Sequence, residues 1–302
     1  MAASQIFLAI SSGDLVDRVS SLGSATIYPS DDAILAILQA RFRADLPYTR
    51  IGCTNLLVVN PYKVLANVND VSAKEYEERS YKDTSLPMLD SPRPLQPHLY
   101  DLAARVYLLM RRRNEPQAVV TWFVTYLVSF ADTDIVGNRG ITGSGKSSSQ
   151  RLFLNQILRL SAYSKKELKL AEQIKAFDTV LISFGNAKTL MNPNASRHGR
   201  YLELHFNERG RTSAAKVFTF GFDKTRLNRL THEERTYHVF YQFLAGTTPA
   251  EQDYFNLEEV SDYALLASSG CYRLPSGPFS DDSIGSSCRH PIIKLPEICA
   301  CE

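Results

Sequence analysis

The amino-acid sequence predicts an α/β fold, a sheet flanked by helices, because three patterns coincide. Apolar residues with helical spacing and with strand spacing alternate along the 302 residues, which is typical of sheets covered by helices. Residues 200–206 and 214–222 alternate apolar and polar side chains around a turn at 207–210, which predicts a β-hairpin. A glycine-rich loop at residues 140–147 is followed at 148–160 by apolar residues with helical spacing.

Composition and charge exclude several classes of protein. Hydrophobic residues make up 44% and charged residues 22% of the chain, so a substantial core is expected. The net charge of +2 gives no reason to expect nucleic acid as a partner. The longest apolar run, residues 118–130, is shorter than the roughly 20 residues with which a helix spans a bilayer. The sequence therefore predicts a soluble, cytoplasmic chain with no transmembrane segment.

The first part of the chain predicts a leader, a helix and a strand. Residues 1–30 are rich in Ser, Gly and Ala without periodicity, and we expect a loose leader. Asp31 and Asp32 then precede an apolar pattern with helical spacing, at the helix end where the dipole favours negative charge. The apolar run TNLLVV at residues 54–59 stops at an Asn-Pro pair and predicts a buried strand that leads into a turn.

Further elements follow from proline and from helical spacing. Four prolines between residues 86 and 97 predict a loop, because proline disrupts helices and sheets. From His98 an apolar helical stripe runs to the arginines at 111–113, cations that the C-terminal end of a helix dipole favours. Residues 237–244 again have helical spacing, and Gly246 is expected to cap that helix.

The glycine-rich loop fits the phosphate-binding pattern G-x-x-x-x-G-K-[ST]. Its residues are Gly140, Ile141, Thr142, Gly143, Ser144, Gly145, Lys146 and Ser147. Glycines let successive backbone N–H groups surround phosphate oxygens, and the following helix directs its positive end at them. Lys146 would supply a charge for the β- and γ-phosphates, and the Ser147 hydroxyl would ligate Mg²⁺. The pattern predicts phosphate binding, with a Gly/Ser-rich loop that binds no ligand as the alternative.

The strand that should lead into this phosphate loop is less clear. The run QAVVT at residues 117–121 has the composition of a strand. Residues 122–138 then separate it from the loop. A phosphate loop requires its strand and helix close together, so residues 122–138 are expected to be an insertion.

Four segments around the loop resemble the motor domain of myosins. They are VVNPYK (58–63), PHLYDLAARVYLLM (97–110), SFGNAKTLMNPNASRHGRYLELHF (183–206) and ERTYHVFYQFLAG (234–246). The order and spacing of these segments match the family, and the resemblance covers residues 32–284. The loop reads GITGSGKS where conventional myosins have GESGAGKT. This difference favours the myosin-like domain that some fungi fuse to chitin synthase.

The resemblance implies the P-loop NTPase fold of the myosin head, with a mixed central sheet and flanking helices, here incomplete. It also implies Mg·ATP as the ligand. Asn60, Pro61 and Lys63 would lie near adenine and ribose, and Lys146 would hold the phosphates. The switch loop, which we define as residues 192–197, would add Asn192, Asn194, Ser196 and Arg197 to the site. Mg²⁺ would be coordinated by Ser147 and Ser196.

Two departures from the family pattern bear on catalysis. Ala195 stands where conventional myosins carry a serine near the attacking water, so slow hydrolysis is expected. No D-I-x-G-F-E sequence occurs in the chain. Arg197 is therefore expected to lack the glutamate with which the resemblance would pair it, and independent motor activity is not expected.

The domain organisation that follows is a leader at 1–30, a partial motor-like domain at 31–284 and a tail at 285–302. The tail follows no family pattern. The tail and the insertion at 122–138 suggest gene-model errors, with a natural insertion and a divergent tail as the alternative. Cys288, His290, Cys299 and Cys301 in the tail offer zinc ligands, but their spacing fits no common zinc module.

Three functions remain open from the sequence alone. The first is a nucleotide-binding, motor-like module of a fungal chitin synthase. In the parent protein it would act on the cytoplasmic side of the plasma membrane or of secretory vesicles, with actin as a partner of the complete domain. The second is an independent P-loop ATPase, whose acidic metal-binding residue would be Asp134 or Asp178, although each stands at the wrong end of its apolar run. The third is a scaffold or anchor that binds no nucleotide.

Overall fold

The computed structural model describes residues 14–15, 31–51, 55–82, 96–122, 135–139 and 142–274. The chain divides into two compact units, Met1–Ala162 and Tyr163–Glu302. Both units contain helices and short strands, in agreement with the predicted α/β class.

The first unit contains four helices and five strands among its described residues. The helices are α1 (Asp31–Arg43), α2 (Asp70–Lys82), α3 (Leu99–Arg113) and α4 (Lys146–Ser161). The strands are β1 (Asp14–Leu15), β2 (Tyr48–Ile51), β3 (Asn55–Val58), β4 (Ala118–Trp122) and β5 (Ile135–Arg139). Strand β2 pairs in parallel with β1 and in antiparallel with β3, and β4 pairs in parallel with β5. The pairing is therefore mixed.

Several sequence predictions are confirmed in this unit. Helix α1 begins at Asp31, α3 begins directly after His98, and β3 lies inside the predicted strand. The leader contributes β1 to the sheet, a contact that its composition does not predict. Most of the loop predicted between residues 86 and 97 lies outside the described residues.

Helix α4 is fixed in the core of the unit by apolar and polar contacts. Its Leu152 packs against a cluster of buried side chains from β2, β3, the segment after β3 and α3 (Tyr48, Leu56, Leu65 and Leu99). The Gln156 amide donates to the carbonyl oxygen of Ala73 in α2 at 3.1 Å, and Arg159 pairs with Glu77 at 3.2 Å. Because α4 follows the phosphate loop, these contacts also fix the position of the loop.

His98 occupies the N-cap position of α3 in an aromatic environment. Its side chain is 1% exposed, and its Nδ1 accepts the backbone N–H of Tyr100 at 3.1 Å. The rings of Tyr48, Tyr76 and Tyr100 have centroids 4.4, 5.2 and 4.3 Å from the imidazole centroid. Burial lowers the pKa of His98 to about 4, so the imidazole is neutral near neutral pH.

Arg41 connects α1 to β2 from a buried position. Its side chain is 1% exposed, and its guanidinium donates from Nε to Thr49 Oγ1 at 3.1 Å and from Nη2 to the Tyr48 carbonyl oxygen at 2.7 Å. Both acceptors are buried as well. A charged donor thus satisfies two acceptors that water does not reach.

The second unit contains four α-helices among its described residues. They are α5 (Lys165–Gly185), α6 (His238–Gly246), α7 (Pro249–Phe255) and α8 (Ala264–Ala267). The strands are β6 (Asn186–Ala187), β7 (Ala195–Ser196), β8 (Gly199–Phe206) and β9 (Thr212–Phe220). Strand β6 pairs with β7 and β8 with β9, both in antiparallel orientation. The predicted hairpin is therefore confirmed, and α5 packs against β9.

Helix α5 begins with a capping box, in which Ser164 and Glu167 satisfy each other's backbone amides. The apolar run TVLIS at residues 179–183 lies inside this helix and forms no strand. Asp178 precedes that run and forms an ion pair with Arg200. It therefore does not end a buried strand, as the ATPase hypothesis requires, and Asp134 lies outside the described residues.

The end of α6 differs in detail from the prediction. The helix ends at Gly246, as its spacing predicts, but the capping residue is Thr247 in an extended conformation with φ −74° and ψ 144°. The glycine therefore does not form a left-handed cap.

In the parts of the chain that the structure describes, no helix is both long and apolar enough to cross a bilayer.

Candidate functional site

The phosphate loop lies between β5 and α4 in the first unit. Gly140 and Ile141 are outside the described residues, and the described part begins at Thr142. Gly143 and Gly145 have φ angles of 78° and 88°, a region that residues with a side chain rarely adopt. The strand immediately before the loop is β5, whereas the QAVVT run forms β4 beside it. This order of strand, loop and helix is the one that the motif requires.

The start of α4 is suited to an anion. Gly145 is its N-cap residue and supplies no side-chain cap, and the first turn contains no acidic residue. The positive end of a 16-residue helix dipole is thus not neutralised by its own first turn.

Two side chains at the start of α4 bear on the ligand. Lys146 is its first residue, and its ammonium donates to Ser144 Oγ at 3.3 Å. Partial burial lowers the pKa of Lys146, and a bound phosphate would oppose that shift. Ser147 is exposed.

Asn60 is held directly against the phosphate loop. Its Nδ2 donates to the carbonyl oxygen of Gly143 at 2.8 Å, and its Oδ1 accepts the backbone N–H of Tyr62 at 3.0 Å. A Cβ atom on Gly145 would lie 3.4 Å from Asn60 Cγ, so the loop and the asparagine are closely packed. Lys63 instead forms an ion pair with Asp45 at 2.6 Å, with both side chains more than half exposed (53% and 59%).

The switch loop forms the candidate site of the second unit, and it begins with a local turn. The N–H of Asn192 donates to Thr189 Oγ1 at 3.1 Å, and the N–H of Thr189 donates to the Asn192 carbonyl oxygen at 2.9 Å. Asn192 Oδ1 accepts the N–H of Asn194 at 2.9 Å. The amide of Asn192 thus shapes the loop in which it lies.

Asn194 is oriented by two residues from other elements. Its Oδ1 accepts Asn186 Nδ2 at 2.8 Å and lies 3.2 Å from His238 Nε2. His238 is 1% exposed, and burial, with a smaller contribution from Arg235, lowers its pKa to about 4. The neutral imidazole therefore carries its proton on Nε2, and this N–H donates a hydrogen bond to Asn194 Oδ1. Sequence reasoning missed the roles of Asn186 and His238, although both lie in the segments that resemble myosins.

Strand β7 places two candidate residues on opposite sides. Ala195 faces Ala187 in the register and is 4% exposed, whereas Ser196 faces Asn186 and is exposed. The Ser196 hydroxyl is therefore accessible to a ligand. The buried methyl group of Ala195 offers no hydroxyl to a reacting water.

Arg197 has a carboxylate partner, Asp223, which is not the glutamate that the resemblance would pair with it. Its Nε and Nη2 donate to Asp223 Oδ2 at 3.2 and 2.6 Å. Hydrogen bonds from Thr225 and from Arg197 lower the pKa of Asp223, so the carboxylate is ionised near neutral pH. Sequence reasoning did not find this partner because Asp223 lies 26 residues further along the chain and reaches Arg197 only through the β8–β9 hairpin.

The candidate residues thus form two groups, one in each unit, and each group by itself offers donors or ligands of a kind that phosphate or Mg²⁺ takes. The first offers a helix N-terminus, an ammonium and a hydroxyl, and the second offers amides and a hydroxyl. Within the described ranges, no group of three or more His, Cys, Asp or Glu side chains is arranged to hold a metal ion. The tail residues Cys288, His290, Cys299 and Cys301 lie outside those ranges.

The chain is similar to fungal chitin synthases and to myosins. Chitin synthase 8 of Mycosarcoma maydis is 32% identical over 255 residues, which are 83% of this chain and 12% of that protein. Chitin synthase 5 of Cryptococcus neoformans is 31% identical over 258 residues, 82% of this chain and 12% of that protein. Myosin-3 of Arabidopsis thaliana is 30% identical over 261 residues, 86% of this chain and 20% of that protein. The chain therefore spans at most a fifth of the length of these relatives.

A sequence profile of the myosin head (motor domain) matches residues 25–284, well over half of the chain. This match includes the phosphate loop, the switch loop and the hairpin that follows. The resemblance identified from the four segments is thereby confirmed, and the chain belongs to the myosin head (motor domain) family.

Proposed function

We propose that this chain binds Mg·ATP as a motor-like module of a longer chitin synthase. The observation that carries the proposal is the phosphate loop, where two glycines with positive φ lead into a helix that no side chain caps. Such an N-terminus binds phosphate through backbone N–H groups and the helix dipole. Lys146, beside it, adds the charge that a triphosphate requires.

The proposed contacts divide between the two groups of residues. The phosphates would contact the loop (Gly140, Ile141, Thr142, Gly143, Ser144, Gly145 and Lys146) and Asn192. Asn60, Pro61 and Lys63 would contact adenine and ribose. Mg²⁺ would be held by the hydroxyls of Ser147 and Ser196, which oxygen-preferring cations accept as ligands. Asn194 and Arg197 would hold the switch loop in place.

In the longer protein, nucleotide binding would serve to guide chitin synthesis through the cytoskeleton. Relatives named chitin synthase support this proposal, because they share the motor-like region. The complete domain would contact actin, on the cytoplasmic side of the plasma membrane or of secretory vesicles. The motor-like region would comprise residues 31–284, with 122–138 as an insertion whose last residues supply most of β5, and 285–302 as a tail foreign to the family.

Hydrolysis is proposed to be slow. Ala195 is buried and carries no hydroxyl. A group that positions the attacking water contributes to catalysis mainly by orientation, and its loss typically costs orders of magnitude in rate. Bound ATP would therefore persist uncleaved, which suits an anchor better than a fast motor.

Titration with a fluorescent, non-hydrolysable ATP analogue tests the proposal. Lys146→Ala should weaken Mg²⁺-dependent binding at least tenfold, about 1.4 kcal/mol, because the charge beside the phosphates is lost. Lys166→Ala, at an exposed position of α5, serves as the matched control and should bind as tightly as the unaltered chain. Equal binding by Lys146→Ala would contradict the proposal. A complete lack of saturable binding by the unaltered chain would favour the scaffold function.

A further inference from the structure

The partner of Arg197 carries the inference, since Arg197 is held through both its side chain and its backbone. Its Nε and Nη2 both donate to one oxygen of Asp223. The backbone N–H of Arg197 donates to the Gly185 carbonyl oxygen at 2.8 Å, and its carbonyl oxygen accepts the N–H of Asp223 at 3.0 Å. Arg197 and Asp223 are thus joined through their side chains and their backbones.

Asp223 is itself fixed by residues that lie outside the switch loop. Its Oδ1 accepts the backbone N–H of Thr225 at 3.2 Å and also the Thr225 hydroxyl. Arg226 Nε lies 3.6 Å from Oδ2, and the Tyr237 hydroxyl donates to the Asp223 carbonyl oxygen at 2.9 Å. The carboxylate is therefore held in place independently of Arg197.

The pair is only partly accessible to solvent. The side chains of Arg197 and Asp223 are 31% and 21% exposed, so water and salt screen their attraction less than that of a surface pair. The carboxylate also balances the charge of the guanidinium. Arg197 is thus directed at Asp223, while the adjacent Ser196 remains exposed.

We propose that Asp223 is a positioning residue that holds Arg197, and through it the switch loop, in the arrangement that presents Ser196 to the metal–nucleotide ligand. The presentation of Ser196 to the ligand rests on the proposed function. The effect on the loop does not rest on it, because the contacts among Arg197, Asp223 and Thr225 are made within this chain alone.

Amide hydrogen exchange, recorded in the absence of nucleotide, measures how Asp223 affects the switch loop. Asp223→Asn should accelerate exchange of a peptide covering residues 195–198 about tenfold, because a charge-assisted pair is replaced by a weaker neutral contact. Asp223→Glu keeps the charge and should restore most of the protection. Arg197→Lys keeps the charge on the other side but loses the paired donors, so it should behave like Asp223→Asn. Asp253→Asn, at an exposed position of α7, is the control.

The Mg²⁺ dependence of ATP-analogue binding measures how Asp223 affects binding of the ligand. In Asp223→Asn, the Mg²⁺ concentration that gives half-maximal binding of the ATP analogue should rise about three- to tenfold. Binding in excess EDTA should not change, since the phosphate loop is intact. A purely structural defect would instead weaken binding of the ATP analogue both with Mg²⁺ and in excess EDTA, and it would lower thermal stability.

The outcomes separate the two proposals. Unchanged exchange in Asp223→Asn, or equal acceleration in Asp253→Asn, overturns the role of Asp223. Accelerated exchange with an unchanged Mg²⁺ requirement overturns the part that concerns the ligand. If the unaltered chain binds no nucleotide, the proposed function fails, and the exchange experiment still decides whether Asp223 holds the loop.

Discussion

Acidification to about pH 5 should lower the free energy of unfolding of the first unit by about 2 kcal/mol through His98 alone. The folded state holds this imidazole among the rings of Tyr48, Tyr76 and Tyr100 with a pKa of about 4. The unfolded chain exposes it with an ordinary pKa near 6.5. Between these values the unfolded state binds a proton that the folded state does not. The loss therefore begins below about pH 6.5 and reaches about 3 kcal/mol near pH 4.

His98→Asn isolates this contribution. Asparagine is a good N-cap residue and can accept the Tyr100 N–H, but it does not titrate in this range. Urea unfolding measures the free energy of unfolding at about pH 7.5 and about pH 5. The decrease between these two values should be about 2 kcal/mol smaller in the variant than in the unaltered chain. His232→Asn, at an exposed position, controls for removal of a histidine. The same loss in His98→Asn and the unaltered chain would exclude His98 as the acid-sensitive group.

Arg41→Met should destabilise the first unit by about 3 kcal/mol at neutral pH. Methionine fills similar space but donates no hydrogen bonds, so Thr49 Oγ1 and the Tyr48 carbonyl oxygen lose a charged donor in a buried location. A buried acceptor without a donor costs about 1–3 kcal/mol. Chemical denaturation followed by circular dichroism measures the difference.

Arg43→Met provides the matched control for this change, because Arg43 lies in the same helical turn but is exposed. Its effect should stay within about 0.5 kcal/mol. A double-mutant cycle with Thr49→Val should further show a coupling of about 1 kcal/mol between Arg41 and Thr49. Equal destabilisation by Arg41→Met and Arg43→Met would show that loss of charge, and not loss of the buried donor, matters.

Sequence reasoning succeeded where local signals determine the structure. Helix α3 combines a capping residue, a regular apolar stripe and three terminal arginines, and each of these signals is contained in its own segment. The β8–β9 hairpin likewise carries its alternation and its turn within one short stretch. The phosphate loop needs only its glycines, its lysine and the helix that follows.

Sequence reasoning failed where distant residues decide the outcome. TVLIS has the composition of a strand, but it continues a capped helix whose length overrides the β preference of Val and Ile. The donor to Asn194 from His238 lies 44 residues away, and Asp223 reaches Arg197 only after the chain has reversed direction in the hairpin. Such pairings depend on the three-dimensional path of the chain, which neither spacing nor composition reveals.

The β8–β9 hairpin has a consequence for solubility. Among the described residues its sheet has only these two strands, and Tyr201 and Phe218 remain about half exposed (55% and 49%). In the described part of the chain no further strand pairs with the outer edges of this hairpin, and the aromatic rings on one face favour pairing with another strand. At high protein concentration, edge-to-edge pairing between copies is therefore the first form of self-association to expect. A lysine in place of Phe218 is the single change best suited to prevent it.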